Sequence, residues 1–496
     1  MRPAVIIALL AAAGCNQIFG LEKTSVRDGG LPPNLATAHL RWLVATTDAS
    51  LLPVDPVLVP ITPPPDVAVG AIGGGTTPVQ LGADGEYVYE LTTEKWRFIY
   101  TLPGDVPREV QWNPAESSGE IVVPLFGRND RAAPPTGSGY RLTPTVNGSD
   151  NLPPINTGMR LYTVGLWTQS PVFLYSGTND IAFAGLTSLS GRLGAPEIAE
   201  GDAIVIQRSV PDNQCSVSGG AALGRADLMT GSPTPVTPLD YESIRNITAE
   251  VSHESLGNIA ARLQAALGNR QGTIDATNSR FEYGRLPSFK MPGFTQPPAG
   301  QLLLPTPLLV PFANCGLDIF TTPSFVEPAS LSGLPRGLHA QLVSTRTPAG
   351  GPGLPSGLQE LVTSTGQFTL SFNTKLAVAP IMLGTFDLAT APDDDPVTLA
   401  GPTTLTFALS TQPNAVADYF DITVYRLDGA SLQPVRIYTV TEPTVVIDPQ
   451  DFSSGLRYVL EIRSHSGYPS AKLGDFSDIQ LPLSAATVYT RTFIAN

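Results

Sequence analysis

Phe420-Asp421-Ile422-Thr423-Val424-Tyr425 is the stretch that decides the fold. Apolar and aromatic side chains recur there every second residue, the period that gives a half-buried strand one core face. The runs around it carry the same signature: Leu405-Thr406-Phe407, Val435 to Val440, Val445-Val446-Ile447, Tyr458-Val459-Leu460-Glu461-Ile462 and Val488 to Ile494. Six or seven strands within about 95 residues predict a β-sandwich over 397–496.

Within that segment, Thr444-Val445-Val446-Ile447 leads through Phe452 and Ser454-Gly455 to Tyr458. This resembles the E–F corner of fibronectin type III domains, where an apolar residue and a tight turn precede a tyrosine opening strand F. The resemblance makes Tyr458 the candidate tyrosine corner, its hydroxyl bonded back to the corner's own backbone. Two departures stand out. Phe407 occupies a place where the family often has Trp, and the connection Ser464 to Thr487 is long. Such domains serve many roles, so the resemblance implies a fold and not an activity.

Working outward, 36–127 reads as a second sandwich. Leu40, Trp42 and Val44 alternate, as do Trp96, Phe98 and Tyr100. Gly73-Gly74-Gly75 and Gly82-Ala83-Asp84-Gly85 are turn signals flanking Val79-Gln80-Leu81 and Tyr87-Val88-Tyr89-Glu90-Leu91. Val110-Gln111-Trp112 and Ile121 to Leu125 complete the set, with Trp96 and Trp112 expected as buried packing. The Asp-Gly turn before an aromatic strand resembles transthyretin-like, carboxypeptidase-regulatory β-domains. Residues 128–154, rich in Pro, Gly, Asn, Asp and Ser, read as a linker.

Residues 155–396 read as a β-rich middle region of one or two domains. Strands are expected at Leu161 to Trp167, Val172 to Tyr175, Ile181 to Phe183, Ala203 to Ile206, Leu302 to Val310, Leu338 to Val343 and Phe368 to Phe372. Phe281 to Gly300 and Pro348 to Gly357 read as irregular. One stretch departs from the strand pattern. Leu256, Ile259, Ala260, Leu263 and Leu267 recur at helical spacing between Ser252, placed to cap, and Gly268. A helix over 252–268 either packs on its own sheet or offers its apolar stripe to a partner. The expected fold class is therefore all-β and multi-domain, with immunoglobulin- or fibronectin type III-like β-sandwiches and one short helix.

The start of the chain bears on place. Met1-Arg2-Pro3 carries one positive charge, and Ala4 to Ala13 form an apolar run. That run is far short of the roughly 20 residues a bilayer span needs, but it suits the core of a secretory signal. Ala12-Ala13-Gly14 then lead into Cys15. This resembles the lipobox of bacterial lipoprotein precursors, with Ala12 where the family prefers Leu. The resemblance implies a signal peptide over 1–14, diacylglycerol on the Cys15 thiol, and acylation, palmitate among the chains, of the new N-terminus. It also implies the outer membrane of a Gram-negative bacterium, because Asn16 replaces the Asp that favours the inner one. The alternative is an ordinary cleaved signal with Cys15 incidental. Residues 15–35 then form the lipidated cysteine and its tether, where Ile18, Phe19 and Leu21 meet the membrane surface or the protein.

Cys215 and Cys315 remain. In an oxidising compartment they read as one disulfide, closing a loop of about 100 residues for roughly 4–5 kcal/mol on the chain-entropy model; the alternative is two buried thiols.

Composition narrows function. Gly and Pro number 47 and 48 of 496 residues, which suits many short strands and turns. The net charge is −14 and only five of the 29 basic residues are Lys, so no basic stripe exists to neutralise nucleic-acid phosphates. Partners are expected to be the membrane, through the lipid, and a protein or glycan. No later segment reaches eighteen uninterrupted apolar residues.

Catalytic signals are sparse. The chain has no Gly-x-Ser-x-Gly elbow, no His-Glu-x-x-His helix and no phosphate-cradling Gly-x-x-x-x-Gly-Lys. Its four histidines, His39, His253, His339 and His465, are far apart in sequence. His253 and Glu254 are adjacent on the expected helix and so do not share a face. Asp393-Asp394-Asp395 is a calcium candidate beside the simpler reading of a solvated turn. Tyr468-Pro469, in the long connection, is the expected surface aromatic for a sugar or peptide. No cofactor is expected. The favoured reading is non-catalytic: adhesion, ligand binding or scaffolding. Alternatives are a tethered hydrolase of glycans or peptides with paired carboxylates in the middle region, and a periplasmic assembly subunit.

Overall fold

The computed structural model describes residues 35–44, most of 57–112, 120–126, separate strands and one helix between 139 and 382, and most of 396–496. These residues are mostly β, with one α-helix and two short 3-10 turns.

The first unit has eight strands: β1 (Leu35–Val44), β2 (Val57–Pro60), β3 (Asp66–Ala71), β4 (Thr76–Val79), β5 (Tyr87–Glu90), β6 (Trp96–Thr101), β7 (Arg108–Trp112) and β8 (Glu120–Phe126). One layer sets β1 antiparallel to β2 and β5 and parallel to β8. The other runs β4-β3-β6-β7, with Trp96 opposite Trp112 and Phe98 opposite Val110. The period of two explains the core: Ala36, Ala38, Leu40, Tyr87 and Tyr89 of one layer meet Trp96, Phe98, Tyr100, Val110 and Trp112 of the other. Trp96 and Trp112 are buried, as their alternation implies.

In the middle region the helix α1 (His253–Leu267) lies within the expected limits. Its Ile259, Leu263, Ala266 and Leu267 are buried. A Cβ at Gly357 would lie 2.9 Å from Leu267 Cδ1, so glycine there lets the helix press onto its sheet. That sheet contains β9 (Arg280–Arg285), β10 (Leu303–Leu308), β11 (Arg336–Arg346) and β12 (Leu354–Ser364). Some stretches differ from expectation: β9 runs into the segment 281–300 read as irregular, β12 begins inside the one at 348–357, and Gly139–Leu142 is a strand inside the expected linker. Gly158–Thr163, Ala203–Pro211 and Val217–Arg225 form a further antiparallel set. The strand expected at 368–372 lies outside the described residues.

The last hundred residues supply β13 (Val397–Leu399), β14 (Thr403–Ala408), β15 (Tyr419–Asp428), β16 (Ser431–Val440), β17 (Thr444–Ile447), β18 (Arg457–Ser466), β19 (Leu483–Tyr489) and β20 (Phe493–Ala495). β14 pairs with β17 and with the short strand Ile381–Met382. The facing layer runs β16-β15-β18-β19, with β20 on β18 and β13 parallel to β20. Leu405, Phe407, Val445 and Ile447 of one layer enclose a core with Phe420, Ile422, Val424, Tyr438, Leu460, Ile462 and Val488 of the other. Phe407 and Phe420 meet edge to face at 4.8 Å.

These units are not separate beads. β7 pairs in parallel with β16, Tyr438 opposite Glu109, and β12 pairs antiparallel with β19, Leu361 opposite Ser484. One mixed sheet therefore runs β10-β9-β11-β12-β19-β18-β15-β16-β7-β6-β3-β4. Strands from the last hundred residues form its middle. Among the described residues it does not close into a barrel, and no helix is long and apolar enough to cross a membrane.

Candidate functional site

Charged and hydrogen-bonding side chains concentrate where β7 meets β16, on both faces of the shared sheet. On the face towards β14 and β17, Glu109 is 1% exposed. Arg436 Nη2 donates to its Oε2, while Arg436 Nη1 lies 3.2 Å from Asp451 Oδ2. Arg97 Nη1 stands 3.7 Å from Glu109 Oε2 and 3.8 Å from Asp451 Oδ2. Two guanidiniums thus balance two carboxylates, with Glu109 and both arginines buried and Asp451 at the solvent rim. The Arg436 guanidinium also lies 5.4 Å from the Tyr438 ring centre.

Gln111 extends this junction to the other layer. Its Oε1 accepts from Val446 N–H at 3.0 Å, and its Nε2 donates to Val446 O at 2.8 Å and to Glu109 Oε1 at 2.8 Å. One carboxamide thereby supplies a donor and an acceptor to β17, as a neighbouring strand would.

On the opposite face, His465 Nε2 lies 3.1 Å from Asp421 Oδ2, and Thr439 Oγ1 donates to Asp421 Oδ1 at 2.7 Å. Tyr419 stacks on the His465 ring at 4.3 Å with planes 6° apart, and Tyr468 meets Tyr419 edge-on at 5.0 Å. A histidine–carboxylate pair is half of an acid–base relay, but His465 is 1% exposed beneath two aromatic rings. In this structure the pair fastens strands β15 and β18.

Burial alone would push the Asp421 carboxyl up. The hydrogen bond and charge of His465, the Thr439 hydroxyl and the Arg108 charge outweigh it, so the carboxyl is held below 3.8. The folded state therefore binds this proton more weakly than the unfolded chain. Its stabilising share is complete above the ordinary value of 3.8 and is lost as pH falls through the lower folded one. Replacing Asp421 with Asn is expected to weaken the fold at neutral pH and to flatten its acid limb. Denaturant melts across an acid series check this, and an unchanged acid limb would contradict it.

Tyr468 requires a correction. It is not a surface platform: it is 1% exposed. Asp418 Oδ2 accepts from Gly467 N–H at 2.8 Å and from Tyr468 N–H at 2.9 Å, turning the connection inward at its start. Gly467 has φ +98°, and a Cβ there would stand 2.7 Å from Gln480 O, so only glycine fits the turn. Tyr468, Ala471 and Phe476 then fill the core of the first unit, Phe476 meeting Trp112 at 6.4 Å and Tyr419 at 5.3 Å.

Tyr458 is buried, and its hydroxyl accepts from Ser453 N–H at 3.0 Å and donates to Ser453 O at 3.2 Å. Its ring lies 5.1 Å from Phe452 and 5.4 Å from Phe493. Tyr458→Phe is expected to keep the packing and cost about 1–2 kcal/mol for the two bonds. Thermal unfolding reads this out; no change would mean that water replaces the hydroxyl without loss.

The remaining candidates are scattered. His39 stands 3.8 Å from Glu86, and His339 is buried in β11. Cys15, Cys215, Cys315, Asp393, Asp394 and Asp395 lie outside the described residues, as do the side chains of His253 and Glu254. Among the described residues, no group of three His, Cys, Asp or Glu could hold a metal ion. Sequence reading missed Arg97, Glu109, Gln111, Arg436 and Asp451 as a group. One local signal was present: Arg97 stands between Trp96 and Phe98 in an aromatic strand.

No protein-family model and no curated protein matches this chain. Among solved structures it is similar to Escherichia coli alpha-2-macroglobulin activated by porcine elastase, at 9% identity, over 92% of this chain and 50% of that one. The chain thus spans about half the length of that protein, and the TM-score of 0.11 is too low to carry an argument.

Proposed function

We propose that this chain is a lipid-anchored envelope protein of a Gram-negative bacterium. It is non-catalytic and acts in adhesion, ligand binding or scaffolding. Cys15 carries the lipid, 1–14 is the export signal and 15–35 is the tether. Each buried CH₂ of an acyl chain contributes about 0.8 kcal/mol, so two or three chains hold the protein at the membrane. Residues 36–127 and 397–496 are sandwich domains, and the last is fibronectin type III-like. Its two facing layers, β14–β17 against β16-β15-β18-β19, and the Tyr458–Ser453 bonds support that reading. Cys215 and Cys315 form a disulfide within the middle region.

One observation carries the scaffolding role. The first and last units share a sheet whose junction holds a balanced set of four charges, three of them buried and the fourth, Asp451, at the rim. Such a junction makes a stiff block and not a jointed string. Mass spectrometry of the mature N-terminal peptide tests the anchor, with diacylated and acylated Cys15 expected. Protein recovered free in the medium with an unmodified thiol would overturn the proposal. Protease shaving of intact cells and pull-down with a lipid-free chain starting at Ala36 then identify the exposed face and its partner.

A further inference from the structure

We infer that the last module is the seat on which the first unit is held: residues 35–126 stay bound to 397–496 through non-covalent contacts alone. A cut in the chain between them therefore leaves both pieces at the membrane. The membrane part of this statement rests on the proposed anchor; the seat itself does not.

Three observations carry it. First, the core of the first unit is incomplete by itself, because Tyr419, Tyr468, Ala471, Phe476 and Leu483 of the last module belong to it. The long connection between β18 and β19 is spent on this contact, with Phe476 against Trp112. Second, Glu109 of β7 is a buried carboxylate whose closest cation, Arg436, comes from β16. The junction takes this carboxylate out of water and supplies its closest cation from the other side, so neither half of the buried pair is satisfied there without the other unit. Third, backbone pairing is continuous across the junction from Ile437–Arg108 to Val440–Gln111, and Gln111 adds two bonds to β17.

Residues 127–396 join the two partners, and β12 within that stretch is itself paired with β19, so a single cut before it leaves these contacts in place. What holds the first unit in place is the surface of β16, the corner carrying Asp451, and the connection 467–482. The partner that this surface fits is a strand edge bearing a buried acid and an adjacent carboxamide, flanked by aromatic residues. β7 is such an edge.

The test uses the full chain in its own cells, with a site for a sequence-specific protease inserted between Ala132 and Ala133. After complete cleavage, the fragment beginning at Ala133 is expected to stay with the membranes and, after detergent extraction, to co-elute with the lipid-bearing fragment. Its release into the supernatant while the lipid-bearing fragment remains would overturn the inference. A second chain carrying Arg436→Ala and Phe476→Ala is expected to remain attached when uncut and to lose the Ala133 fragment when cut. Retention of that fragment equal to the unsubstituted chain would also overturn the inference. If the uncut chain is not membrane-bound at all, the anchor reading has failed, and co-elution of the two fragments still decides the seat.

Discussion

Arg436→Ala is expected to destabilise the shared sheet by about 3–5 kcal/mol, the usual cost of removing one partner from a buried ion pair. Glu109 is 1% exposed, and Arg97, its other cation, stands 3.7 Å away, beyond hydrogen-bonding reach of the carboxylate. With that guanidinium gone, Glu109 keeps only the Gln111 Nε2 bond and the more distant Arg97 to offset the loss of water around its charge. Hydrogen exchange of the β7 and β16 amides, alongside denaturant unfolding, reads the effect. A double replacement, Glu109→Gln with Arg436→Met, is expected to recover most of the loss. It removes one charge of each sign, keeps an acceptor for Gln111, and leaves Arg97 facing Asp451. A loss from Arg436→Ala of under ~1 kcal/mol would show that Glu109 is solvated and that the pair is worth no more than a surface one.

Phe98→Ala is expected to cost about 3–5 kcal/mol, the range for truncating a fully buried aromatic ring. Phe98 is 0% exposed and lies 5.9–6.3 Å from the rings of Tyr87, Tyr89 and Tyr100. These neighbours are held by strand pairing and cannot close the gap: Phe98 is opposite both Val69 and Val110 in its own sheet. Because the same core includes Tyr419 and Phe476, protection should fall in β15 as well as in β3, β6 and β7. Exchange that rises only within 35–126 would mean that the two units unfold independently.

Strand identity was legible wherever apolar and polar residues alternate. Phe420 to Tyr425 and Trp96 to Tyr100 are of that kind, although the fold buries most of both their faces, and the helix at 253–267 was marked by its apolar stripe and its ends. What could not be read was which edge meets which. Glu109 and Arg436 are 327 positions apart, and neither neighbourhood encodes the other's register. Asp421 and His465 each sit at an alternation position that a lone sheet would expose to water. The first unit and the connection after β18 cover that face instead, a tertiary fact with no local trace. Tyr468 misled for the same reason: Gly467 and Pro469 give it the surroundings of a surface loop, yet Asp418 ties that loop down.

The strands at the middle of the sheet are synthesised after those on both of its flanks. Until they are synthesised, β7 and β12 each end in a row of unsatisfied backbone groups, the kind of border that recruits other chains. A message broken anywhere before codon 397 would therefore yield sticky, unfinished material and not a shorter working protein.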